Sequence, residues 1–141
     1  SWILILIDMG YDPALRIILK DLKSSDPETV KNTISWLARW PNPAPVDALF
    51  PLTKNPDYQV VVLNSILALI TTSKDMDERL AWLKQAQPLV SSLAEKRKFI
   101  SLVGLTFDPV SLEILKPFLQ DVEVAGEAQA ASTSLIQIMK L

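Results

Sequence analysis

Asp-Pro and related dipeptides punctuate this chain at nearly constant distance, and a short constant repeat is the strongest single restriction on how a sequence can fold. Asp12-Pro13, Asn42-Pro43, Asp75-Met76-Asp77 and Asp108-Pro109 follow one another at intervals of 30, 33 and 33 residues. A second set of breaks, Asp26-Pro27, Asn55-Pro56 and Asp121, falls about halfway through three of these units. Two stretches are near copies: DPALRIILKDLKSS, from Asp12, and DPVSLEILKPFLQD, from Asp108, share Asp, Pro, Ile, Leu and Lys at matching places without a gap. Each unit therefore holds two segments.

The segments have helical periodicity. Leu112, Leu115, Phe118 and Leu119 recur at steps of three and four, as do Val124, Ala128, Ala131, Leu135 and Ile138, while strand-like alternation is nowhere sustained. Asp or Asn before Pro suits a helix start, because the side-chain oxygen caps free N–H groups and the proline sits where its missing N–H costs nothing. The pattern predicts nine helices, over 2–9, 13–23, 27–40, 44–54, 57–72, 76–91, 93–105, 109–120 and 122–140. Helix pairs this short cannot enclose their own apolar faces, whereas stacked neighbours share a continuous core. The expected fold class is therefore all-α, an α-solenoid (superhelix) of about four antiparallel helix pairs after one N-terminal orphan helix. One repeat domain is expected over 1–141, with repeats at about 12–41, 42–74, 75–107 and 108–141.

Composition narrows the chemistry. The 141 residues are 49% hydrophobic, with a mean hydropathy of +0.23, which excludes a disordered chain. The longest strongly apolar run, 2–7, is far short of the roughly 20 residues that span a bilayer. It also lacks the flanks of a signal peptide, so a soluble protein is expected, with a cytoplasmic compartment favoured and room for a targeting segment removed with the rest of a longer chain. Opening on Ser and passing at once into that run, the sequence reads as a piece of a longer protein. Cysteine and histidine are both absent. That removes zinc sites of Cys and His, thiol nucleophiles, disulfides and His-based triads. Gly10, Gly104 and Gly126 are isolated, so there is no phosphate-binding glycine loop. Asp75, Asp77 and Glu78 lack the alternation and central Gly of a calcium loop and suit a helix start instead. No cofactor and no metal is expected. A net charge of −2 and scattered basic residues, densest at Lys96-Arg97-Lys98, argue against a nucleic-acid partner.

The repeats resemble the HEAT family. LKPFLQDVEVAGEAQAASTSLIQI, residues 115–138, follows the family pattern at Leu115, Pro117, Leu119, Asp121, Val124, Ala128, Ala131, Leu135 and Ile138. LFPLTKNPDYQVVVLNSILALI, residues 49–70, repeats it more loosely, with Pro51 in the place of Pro117. ILKDLKSSDPETVKNTISWLARW, residues 18–40, lacks the proline but keeps the turn and Val30. The third unit departs, with Pro88 near the end of its first helix and no Asp at its turn. Unit length is nearer the compact bacterial variety, which implies a bacterial origin. A TPR reading is weaker, since its Trp, Leu-Gly and Tyr positions do not recur at a period of about 34 residues.

The resemblance implies a non-catalytic helical-repeat scaffold for protein–protein or intramolecular domain contacts, not an enzyme. The partner is then a second protein or another domain of the parent chain. In the family the residue after the first Val of the second helix is often a cation tied to turn carboxylates; Lys31 fills that place, whereas Ala125 interrupts the series. The inner helices are expected to carry the partner face on Lys31, Ser35, Arg39, Gln59, Asn64, Lys98, Ser101 and Gln129, with a solvated helix face as the plainer reading. Two HEAT-fold enzymes are the rivals: an alkylpurine-type DNA glycosylase, which needs a basic concave groove, and a phycobilin lyase, which needs a tetrapyrrole pocket. Among Trp2, Trp36, Trp40 and Trp82, the pair Trp36 and Trp40 shares a helical face, and either stacks on a ligand or fills the core. Pro51 and Pro117 are expected to bend their helices, and Glu95, Glu113, Glu123 and Glu127 to be exposed. The helix at 2–9 is apolar nearly all round, as a helix buried on several sides would be. It reads as the second helix of a preceding repeat, and a dimer of this stretch through it is expected.

Overall fold

The computed structural model describes the backbone of residues 2–140 and the side chains of 5–140. Those residues are all-helical, with nine α-helices and no strand, in two compact units, Ser1–Ser73 and Lys74–Leu141.

In the first unit α1 (Trp2–Asp8), α2 (Asp12–Lys20), α3 (Pro27–Leu37), α4 (Val46–Leu49) and α5 (Gln59–Ile70) alternate with short turns. Gly10 ends the first of these turns with φ +65, the left-handed region that side chains resist. Space is also closed there: a Cβ on Gly10 would stand 2.9 Å from Pro41 Cγ. Asp26 caps α3 by accepting from the Glu28 N–H at 3.3 Å, and Pro27 follows at the first helical position. Asp12 behaves differently, lying inside the first turn of α2, where its charge faces the positive end of the helix dipole. Ile18, Val30, Ile34, Leu37, Val46, Leu49, Leu63 and Ile66 are buried and supply much of this unit's core.

The helix expected over 44–54 is broken. α4 makes a single turn before the chain tightens into a 3-10 turn, Phe50–Lys54. Pro51 has no N–H to give the carbonyl of Asp47, so the α-helical ladder cannot pass it. The segments ending near 23 and 91 also close in 3-10 turns, Asp21–Lys23 and Gln87–Leu89. At the last helix, residues 122–124 form a turn in which Asp121 accepts from the Glu123 N–H at 3.0 Å.

The second unit comprises α6 (Met76–Ala86), α7 (Leu93–Gly104), α8 (Pro109–Leu119) and α9 (Ala125–Met139). Asp75 caps α6 through the N–H groups of Asp77 and Glu78, and Asp108 caps α8 through that of Val110 at 2.9 Å. The unmarked turn before α7 is closed by Ser92 and Glu95 in a reciprocal capping box. Pro117 lies inside α8 and withdraws the N–H that would reach the Glu113 carbonyl. Leu83, Phe99, Val103, Leu115, Val124, Ala128 and Leu135 are buried, with the Phe99 and Phe118 rings 5.5 Å apart and tilted by 41°.

Inside the first unit α1 packs against α2 and α3, α2 against α3, and α5 against α3 and α4; inside the second, α8 packs against α6, α7 and α9, and α7 against α9.

Candidate functional site

α3 presents Lys31 and Ser35 to solvent on one face, four residues apart, and the Ser35 hydroxyl donates to the Lys31 carbonyl at 3.1 Å. Arg39 does not continue that helical row, because α3 ends at Leu37. It stands in the following turn and reaches Asp8 at 3.6 Å, with both side chains more than half exposed. Such an exposed pair is worth little and leaves the guanidinium accessible. On α5, Gln59 and Asn64 are half-buried, and the Asn64 amide donates to the Val60 carbonyl at 2.8 Å. Five residues place the two roughly 140° apart around a helix. They are not one ridge.

In the second unit Lys98 and Ser101 are exposed three residues apart on α7. Gln129, exposed on α9, donates to the Thr133 hydroxyl at 3.3 Å. The predicted residues thus form two local rows, Lys31 with Ser35 and Lys98 with Ser101, with Arg39 beside the first. Ser35 and Asn64 bond to carbonyls of their own helices and Gln129 to a hydroxyl of its own helix, and all of the predicted residues except Gln59 and Asn64 are exposed.

Trp36, Trp40 and Trp82 make no exposed shelf. Trp36 is half-buried, Trp82 is buried and Trp40 is 2% exposed. Trp40 lies beyond the end of α3, so its spacing of four from Trp36 does not put both rings on one face. Its Nε1 is enclosed without a hydrogen-bond partner among the described residues. The side chain of Trp2 lies outside the described residues.

Charged groups expected to be free are in part structural. Glu95 is buried, which corrects its expected exposure, and one of its oxygens accepts from the Ser91 N–H at 3.1 Å, the Ser92 N–H at 3.1 Å and the Ser91 hydroxyl at 3.3 Å. Lys96 lies 2.7 Å from Asp121 and 2.8 Å from Glu123, tying α7 to the turn before α9. Those hydrogen bonds raise the Lys96 pKa, while the bond from Lys96, followed by that from the Glu123 N–H, lowers the Asp121 pKa. Arg97 adds a 3.3 Å pair with Glu127 of α9. A cation on α7 therefore meets the carboxylates of the turn before α9, and it is Lys96, which sequence spacing did not single out. The buried Arg79 on α6 was also not visible in sequence, and desolvation lowers its pKa.

Among the described residues no group of three or more His, Cys, Asp or Glu is placed to hold a metal ion. No helix among them is long and apolar enough to cross a membrane. The fold defines the class, an all-helical protein. Comparison with family models, with curated proteins and with solved structures finds no match.

Proposed function

We propose that the chain is a HEAT-like α-solenoid segment acting as a non-catalytic scaffold, one that holds a second protein or another domain of its parent chain. The observation that carries this reading is the packing of alternate helices inside each unit. α3 touches α1 and α5 in the first unit and α9 touches α7 in the second, as second helices stacked beside second helices would. Stacking of this kind supplies a core that no single pair of short helices can build, and it leaves the outward face of each inner helix free to vary. Lys31, Ser35, Lys98 and Ser101 stand on such faces and are exposed. Mechanism in this reading means shape: the packed helices hold polar side chains at fixed spacing, and substitutions there tune affinity while the core stays intact.

Pull-down from the source cell's extract tests the proposal, using the chain and its Lys31→Glu/Arg39→Glu/Lys98→Glu variant. A protein held by the parent and lost from the variant is expected. Identical captures by both would remove these residues from the partner face, and an enzymatic activity purified with the chain and abolished by a single exposed carboxylate would overturn the scaffold reading itself.

A further inference from the structure

The first unit carries a second feature, unrelated to the residues above. Between α2 with its 3-10 turn and α4 with its own lies an open cleft of about 470 Å³. Its apolar lining includes Leu19, Leu22 and Leu52, of which Leu19 and Leu52 remain half-exposed. Arg16, Lys20 and Lys23 line the same cleft, and no acidic residue does. None of these three cations enters an ion pair among the described residues. A chain of net charge −2 has thus placed three positive charges without an ion pair around one apolar hollow.

We infer that this cleft takes an acidic amphipathic segment of a partner protein, with leucine-like side chains in the hollow and carboxylates along Arg16, Lys20 and Lys23. Charge complementarity selects the sign of the ligand, and the arrangement of the charges selects its kind. The cations are spaced four and three residues apart along one wall, so they extend over roughly 10 Å instead of converging on a point. A ligand with a single headgroup can engage one end of that row and leaves the other uncompensated. A helical segment with Glu or Asp at steps of three and four matches the whole row, and its apolar positions then face the cleft as in helix-in-groove recognition. The volume suits two or three aliphatic side chains and lies at the small end of ligand sites. Rim charges of this kind steer association and set salt dependence, while the apolar contact holds the complex.

Selection of displayed random peptides of about 15 residues, roughly four helical turns, on the full chain provides the test. Enriched peptides are expected to carry acidic residues at steps of three and four with leucine-like residues between. A synthesised winner should bind the Arg16→Glu/Lys20→Glu/Lys23→Glu variant at least about tenfold more weakly, and its affinity for the parent should drop as salt rises. All three positions are exposed, so circular dichroism of the variant should match the parent. Lys31→Glu/Arg39→Glu serves as the second variant and should bind the winner unchanged. Enrichment of peptides without acidic residues, equal binding by the charge-reversed variant, or loss of binding in the second variant would each overturn the assignment. So would cleft-dependent binding of phosphatidylserine vesicles with no peptide enriched, which would make the ligand a lipid headgroup. The scaffold proposal rests on other residues, so its failure and the failure of this one are read in separate experiments.

Discussion

Replacing Glu95 by Ala should destabilise the protein by about 1–2 kcal/mol, well beyond what an ordinary helical glutamate contributes. One Glu95 oxygen serves two backbone N–H groups and a hydroxyl, and the Glu95 N–H is capped in return by the Ser92 hydroxyl at 3.2 Å. Hydrogen bonds to a charged acceptor are worth about 1.5–3 kcal/mol each in favourable cases. Three bonds to one oxygen do not add, however, and Ser91 and Ser92 are exposed, so water can recover part of what is lost. Ser92→Ala should cost about 1 kcal/mol, as N-cap truncations usually do. If the box is reciprocal, the double variant should fall short of the sum of the singles by about 0.5 kcal/mol or more. Urea unfolding followed by circular dichroism gives the free energies, and a thermal scan should show Glu95→Ala melting roughly 3–8 °C lower. Glu113→Ala is the control, because Glu113 is exposed and, among the described residues, pairs only with Lys116 on its own helix, at 2.9 Å; its cost should stay within about 0.5 kcal/mol. Equal losses for Glu95→Ala and Glu113→Ala, or strict additivity with Ser92→Ala, would refute the capping-box argument.

Other outcomes follow from the same geometry. Gly10→Ala should cost about 1–2 kcal/mol, since alanine is strained at positive φ and its Cβ meets Pro41; the same urea titration measures it. The Asp121 contribution should be present at neutral pH and fade as pH falls below about 4, because its folded pKa is lowered, so parent and Asp121→Asn should converge in acid. Lys96 carries the opposite sign: its raised pKa keeps its contribution through neutral pH and releases it only above the ordinary lysine range, so Lys96→Met and parent should converge in strong alkali. Ile5 on α1 and Met9 in the turn just after it are 59% and 70% exposed. We propose that they mediate self-association of this stretch, and sedimentation should show a concentration-dependent dimer that Ile5→Lys/Met9→Lys abolishes.

Much of the helical plan was legible because it rests on local chemistry. Asp26, Asp75 and Asp108 cap helices in the way their neighbours in sequence predict. Pro51 shows where local reading stops: its place in a helical pattern is visible, but whether the chain bends or gives way to a 3-10 turn depends on the single α-turn before it. The pairing of Trp36 with Trp40, and of Ser35 with Arg39, assumed a helix continuing to residue 40. It ends at Leu37, and Trp40 turns inward while Arg39 turns to Asp8. Ser92 and Glu95 form a recognisable cap signature, yet the burial of that carboxylate could not be read from spacing. Lys96 meeting Asp121 and the cleft beside Arg16, Lys20 and Lys23 each bring together residues from separate helices. Periodicity places residues on the faces of a helix but does not say which faces meet.

Site-specific photo-crosslinking tests the central proposal most directly. A benzophenone amino acid is placed at Ser35, at Ser101 and, as control, at Gln85 on α6, all exposed positions. Irradiation in the source cell's extract should join a partner protein to Ser35 and Ser101 and not to Gln85, with the product lost when Lys31 and Lys98 are reversed to Glu. Cross-links of equal strength from Gln85, or none from Ser35 and Ser101 while a partner is still captured, would contradict a scaffold that works through its inner-helix faces.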